Sequence, residues 1–134
     1  MSRKQLNCDI EEVGIATSFR SKYTIVVQEA VQDPTGFEVF LTEQCWAEHI
    51  TIKHPEMSSH RDLVRETLRM PDAIHFGKRD PARRIYLKTF HHVAGIGNWL
   101  HLLVFVGNQD RHVATAYFTS YAMRMLGEQV WPSR

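Results

Sequence analysis

Eight histidines stand in a chain of 134 residues, and histidine is the side chain best placed to move protons near neutral pH. Two of them sit in one short string, His49-Ile50-Thr51-Ile52-Lys53-His54-Pro55-Glu56-Met57. On a regular helix that spacing turns the second ring about 140° from the first. His49 and His54 therefore meet at one ligand only if the helix unwinds. The spacing speaks against a zinc pair, which wants i,i+4 on a helix or matched strand positions with further ligands. Other readings stay open for each. His49 would serve as a half-buried helix residue bonded to a carbonyl, and His54 as a cationic cap where the helix dipole is negative.

A second chemical feature is the basic run Lys78-Arg79-Asp80-Pro81-Ala82-Arg83-Arg84, continuing to Lys88. It reads either as a solvated turn or as a phosphate clamp, since a guanidinium engages two oxygens at once. On the strand that follows, Arg84, Tyr86 and Lys88 share one face, and Ile85, Leu87 and Thr89 share the other. The polar stripe is expected to be open. Near the end of the chain Val113, Thr115, Tyr117 and Thr119 share a face that offers hydroxyls, with Ala114, Ala116 and Phe118 behind it, under a helix. His91, His92 and His101 would meet across a Gly-rich turn or simply decorate a hairpin. His60, His75 and His112 carry no distinguishing context. A phosphate-binding glycine loop, a G-x-S-x-G elbow and an acidic cluster suited to magnesium are all missing from the sequence. A phosphodiesterase built from these residues would work without metal or cofactor.

The elements that must position these groups follow from local rules. Lys22 to Val31 and Phe37 to Leu41 read as a hairpin around the turn Asp33-Pro34-Thr35-Gly36, where Pro presets φ and Gly accepts positive φ. Thr42 is a helix N-cap with Glu43 in the first turn. Pro55 ends that helix by pushing His54 out of helical geometry. Ser59 and Asp62 suggest a capping box for a second helix. Leu63, Val64, Thr67 and Leu68 form its apolar face, with Arg61, Arg65, Glu66 and Arg69 opposite. Pro71-Asp72 stops it. Ala73 to Gly77, Arg84 to His91, Trp99 to Val106 and His112 to Thr119 read as strands joined by short turns, an antiparallel arrangement. Tyr121 to Glu128 is expected to form a short closing helix, with Trp131-Pro132 as a tail. The class is α+β: N-terminal helices packed on a twisted antiparallel sheet of about four strands, with an added N-terminal hairpin. One domain over 1–134 is expected, with 1–20 as a loosely held lead-in and 121–134 as closing helix and tail.

Composition bounds the rest. The chain is 43% hydrophobic and 23% charged, which suits a globular domain and not a disordered one. A net charge of +1 is not the footprint of a strongly basic nucleic-acid binder, so any such role rests on local charge. Cys8 and Cys45 have no zinc-knuckle spacing. A buried free thiol at Cys45 is expected, and with it a reducing, cytoplasmic setting. No apolar run is long enough for a signal-peptide core or a membrane span.

These motifs, in this order, resemble the phage-associated branch of the Barnase–EndoU–colicin–RelE nuclease superfamily. The resemblance covers roughly residues 37 to 120. It rests on the His49 to Met57 string, the helix ending in Pro71-Asp72, then Arg79-Asp80-Pro81, Tyr86-Leu87-Lys88 and Thr115-Ala116-Tyr117. It implies helices followed by a four-stranded antiparallel sheet, and a metal-independent ribonuclease, often a toxin acting on tRNA or other RNA. It implicates His54, and less directly His49, as acid or base. Lys88 and an arginine of the turn, Arg79, Arg83 or Arg84, would stabilise phosphate. Thr115 and Tyr117 would supply hydroxyls, and Tyr86 or Tyr117 would stack a base. The branch often carries Arg where this chain has Lys53 and Lys88, and at Lys88 that loses the bidentate fork. RNA is the implied partner, with a cognate immunity or antitoxin protein beside it. The competing expectation is a non-catalytic binding, immunity or regulatory module on the same fold.

Overall fold

The computed structural model describes residues 28–133. The lead-in over 1–20, the first part of the expected strand from Lys22, and Cys8 lie outside the described residues. The chain opens on a hairpin of β1 (Gln28–Gln32) and β2 (Glu38–Thr42), in register from Gln28↔Thr42 to Gln32↔Glu38. Its turn closes through a Gly36 N–H bonded to the Asp33 carbonyl at 3.0 Å, with Gly36 at φ 91°. That is the left-handed region in which glycine has no Cβ penalty.

A helical segment, α1, covers 43–53. It starts with an α-turn, Glu43–Cys45, capped as expected by Thr42, whose Oγ1 accepts from the Cys45 N–H at 3.0 Å. Its middle, Trp46–Ile50, is π-helical, and a last α-turn runs over Thr51–Lys53. Trp46 and Ile50 both reach the core through this wider turn. His54 leaves helical geometry at φ −132°, ψ 76°, as the following Pro55 requires. A 3-10 turn, Pro55–Ser59, buries Met57 completely.

Helix α2 (Arg61–Arg69) buries Val64, Thr67 and Leu68. The expected capping box does not form. Ser59 belongs to the preceding 3-10 turn, so His60 occupies the N-cap position and no side chain caps it. Asp62 still lies in the first turn, where the dipole favours an anion. Arg65 and Arg61 hold Glu29 of β1. The Arg65 hydrogen bond above all keeps that carboxyl below the usual glutamate range.

Five antiparallel strands follow: β3 (Ala73–Gly77), β4 (Arg83–Val93), β5 (Gly97–Gly107), β6 (Val113–Thr119) and β7 (Leu126–Trp131). Their order is β6-β5-β4-β3-β7. The fold is thus α+β, two helices on a five-stranded antiparallel sheet plus the hairpin. The expected closing helix at 121–128 is corrected. Only a 3-10 turn forms, Met123–Met125, and the next residues pair with β3 through Ile74↔Trp131, His75↔Gln129 and Gly77↔Leu126. The open edge of β3 offers ladder bonds that a short exposed helix cannot match.

The sheet is covered on both faces. Tyr86, Leu102, Val104, Val106 and Ala116 face the helices in the main core. Because β6 and β7 occupy opposite edges, the chain between them crosses the other face. There Ala122, Met125 and Leu126 pack with Ile85, Leu103 and Phe105 in a second cluster. A bulge between Phe105 and Val106 turns Val113 into the main core, so it does not share the Thr115–Tyr117 face.

Cys45 is buried and disulfide-bonded. This corrects the expectation of a free thiol, and the ground for a reducing setting goes with it. A disulfide depends on tertiary structure, which the spacing of cysteines in the sequence does not encode. Among the described residues no helix is long and apolar enough to cross a membrane.

The hairpin is locked to β4 through Asp33. Its Oδ1 accepts from the Thr35 N–H at 2.7 Å, the Thr35 hydroxyl at 2.7 Å and the Phe37 N–H at 3.0 Å. Its Oδ2 accepts from the Tyr86 hydroxyl at 2.5 Å. Tyr86→Phe removes one charge-assisted bond and is expected to destabilise the domain by about 1.5–3 kcal/mol. Asp33→Ala strands several donors and is expected to cost about 3–5 kcal/mol. Urea unfolding midpoints check both, and equal midpoints for Asp33→Ala and wild type would refute the anchoring role.

Candidate functional site

The residues singled out from the sequence divide between the two faces of the sheet. Arg84, Tyr86 and Lys88 point to the helices, not to an open surface. Tyr86 is fully buried. Burial, aided by the Asp33 carboxylate, drives its phenol far above the usual tyrosine range, so it holds its proton and stacks on no base. The Arg84 Nε donates to Asn108 Oδ1 at 3.1 Å, and the guanidinium lies over the Phe37 ring at 4.1 Å. Lys88 Nζ donates to the Met70 carbonyl at 2.8 Å and lies 3.8 Å from Glu66. It thereby caps the C-terminus of α2, a good place for a cation. Arg79 is exposed in the turn before β4.

The other members come together. Tyr117 lies on the face of β6 opposite the helices, its ring stacked on Phe105 at 5.5 Å. Thr115 is its neighbour on that face, paired with Phe105. The His54 ring sits against Tyr117 with centroids 5.1 Å apart. Its Nδ1 is 3.8 Å from Glu56 Oε2. Arg83 starts β4 on the same face as Ile85, and its Nε lies 3.6 Å from Asp80.

His49 is linked to this group through its proton affinity. Burial first, then the charges of Lys53, His54 and Arg83, hold its imidazole below the ordinary histidine range. The helix does depart from regular winding around the two histidines, as a π-helical stretch Trp46–Ile50 that holds His49 and a non-helical His54. Such π turns occur often at functional sites. Burial alone raises the Tyr117 phenol, so it stays a proton donor at neutral pH.

The structure brings together His54, Tyr117, Thr115 and the apolar floor of Phe105; Arg83 starts β4 on the same face, and His49 is joined to the group only through its lowered proton affinity. Together they offer a neutral imidazole as base, a second imidazole, hydroxyl donors and one guanidinium. Among the described residues no group of three or more His, Cys, Asp or Glu is placed to hold a metal ion. The sequence reading passed over Lys53 as a tuning charge, although its i,i+4 spacing from His49 was visible. It also missed Phe105, which only the pairing of β5 with β6 brings under Tyr117.

No protein-family model matches the chain. No curated protein and no solved structure matches it either.

Lys53→Gln is expected to raise the His49 titration midpoint toward the ordinary value of about 6.5, followed by NMR of the ring protons. An unmoved midpoint would contradict the coupling. The depressed affinity also fixes a stability trend. Above that ordinary value both folded and unfolded chains hold His49 neutral, and it contributes nothing. As pH falls below it, the unfolded chain binds the proton first and the folded state loses stability. Replacing His49 with Gln should flatten the loss of stability that sets in as pH falls below about 6.5, read from melting temperatures taken on either side of that value.

Proposed function

We propose that this domain is a small metal-independent endoribonuclease that cleaves RNA by transesterification from the 2′-hydroxyl. The observation that carries the reading is the His54 ring set against Tyr117, on the sheet face where β4 starts with Arg83, with His49 in the wide turn just before His54. That reaction needs a base, an acid and a cation, and no redox or hydride chemistry. Neutral His49 takes the proton of the 2′-hydroxyl. The 2′-oxygen then attacks phosphorus, forming a 2′,3′-cyclic phosphate. The bond from phosphorus to the 5′-oxygen breaks, and His54 gives that oxygen its proton. The Arg83 guanidinium faces the charge that builds on the non-bridging oxygens. Tyr117 and Thr115 donate hydrogen bonds to the same phosphate. The resemblance to the phage-associated nuclease branch supports the same reading, including a toxin-like role with a cognate inhibitor.

Incubating the purified domain with total RNA in EDTA tests this on a denaturing gel. Wild type is expected to give discrete fragments ending in cyclic phosphate, and His54→Ala none. Arg83→Gln should slow cleavage by about 10²–10³-fold, the usual loss for a donor to developing charge. Folded Lys88→Ala should cleave as wild type does, because that lysine caps α2 on the other face. Intact RNA with wild type, or equal cleavage by His54→Ala, would overturn the proposal.

A further inference from the structure

The β4–β5 hairpin holds an aromatic group outside the candidate site. Trp99 is 64% exposed, whereas Trp46 is buried in the core and Trp131 packs against it. Its backbone has φ 54°, a left-handed conformation that a bulky residue rarely adopts. Glycine or asparagine would suit that backbone better, yet an indole occupies it, displayed rather than packed. Such strain at a non-glycine residue points to a use for the side chain.

The setting is rigid. The ladder continues on both sides of Trp99, through Phe90↔Leu100 and His92↔Asn98. His92 Nδ1 and Asn98 Oδ1 lie 2.6 Å apart across the strands. The His91 ring lies against the indole, with centroids at 4.3 Å and planes 39° apart. Alternation along β4 puts His91 on the face of Ile85, Leu87 and Thr89, the face that carries the candidate site. Two strand positions nearer the site, Thr89 and His101 are hydrogen-bonded at 2.8 Å. His101 pairs with Thr119, after which the crossing chain leaves Tyr121 and Arg124 exposed.

Charge selects the occupant. From Lys88 to Gly127 the chain has one carboxylate, Asp110. Its Oδ1 accepts the His112 N–H, in the β5–β6 turn, far along the strands from Trp99. Asp72 approaches from the edge of β4, bonded to the Thr89 N–H. Glu56 and Asp80 lie beside His54 and Arg83 at the candidate site, so the anion-poor part of the face is the hairpin end around Trp99, and its exposed aromatic rings suit a polyanion whose bases stack.

We propose that Trp99, held against His91, is a nucleobase-stacking site for single-stranded RNA. It rests on the nuclease reading above and adds a second contact to the substrate, outside the bond that is cut. Every base has a π-face, so the site binds without strong sequence preference.

The test uses a labelled single-stranded 12-nucleotide RNA of mixed sequence (about that length suffices for one such module) and the His54→Ala protein, so that the probe stays intact. Adding Trp99→Gly is expected to weaken binding by about 5- to 150-fold, the range for losing one stacked base. Its melting temperature should be retained, because glycine suits the backbone at that position. Trp99→Phe should keep more of the affinity than Trp99→Gly. Unchanged affinity in the folded Trp99→Gly protein, or no RNA binding before that change, would overturn the stacking site and leave the ring to a protein partner. The readout contains no cleavage. RNA bound through Trp99 but never cut by wild type overturns the nuclease reading alone, and cleavage with Trp99-independent binding overturns the stacking site alone.

Discussion

The buried carboxylate of Asp33 is the constraint on which the rest of the arrangement depends. Its side chain is closed off from solvent, and an ion in that position must be surrounded by donors or it destabilises the fold. The turn that contains it supplies three donors, and β4 supplies the fourth through Tyr86. A single side chain thereby shapes the hairpin and fixes it to the sheet. With the hairpin placed, β2 leads directly into α1, and Phe40 meets the chain before β6 through its N–H bonded to the Arg111 carbonyl. Those contacts bring the end of α1 to the β6 edge, where His54 reaches Tyr117.

Asp33 also explains how a polar stripe comes to lie inside. Tyr86 and Arg84 are polar at their tips and apolar along their bodies. The carboxylate, Asn108 and the Phe37 ring receive those tips. The sheet can therefore turn Arg84, Tyr86 and Lys88 to the helices while Ile85, Leu103 and Phe105 form a separate cluster on the other side.

Much of the fold was legible because it depends on local rules. Thr42 caps α1, Pro55 ends it, and the apolar face of α2 is the one that helical spacing marks. Alternation correctly sorted Arg84, Tyr86 and Lys88 from Ile85 and Leu87. What alternation cannot reveal is which face is covered by what, and a one-residue choice reverses every side chain. The partners that settle it, Asp33 and Met70, lie far away in sequence. The final strand was hidden for a similar reason. Met, Leu and Glu around 123–128 are good helix formers, and the unpaired edge of β3 that captures them exists only in the assembled sheet. Of the candidate site, His49, His54, Arg83, Thr115 and Tyr117 were readable as types of residue, whereas the contact of His54 with Tyr117 exists only because the end of α1 reaches β6 in the assembled fold.

That wide turn has a bearing on how this region can vary. The π-helical stretch Trp46–Ile50 accommodates one residue more than an α-helical path would, as shown by the Thr51 N–H bonded back to the Trp46 carbonyl. Deleting one residue there would close the wide turn into ordinary winding with both of its ends left in place, because the extra residue is taken up within the turn itself. Trp46 before the turn and His54 after it, against Tyr117, would keep their places, and only residues inside the turn, His49 among them, would change direction. The wide turn thus works as a local buffer of chain length, which can re-aim His49 without disturbing the contact that His54 makes on the sheet.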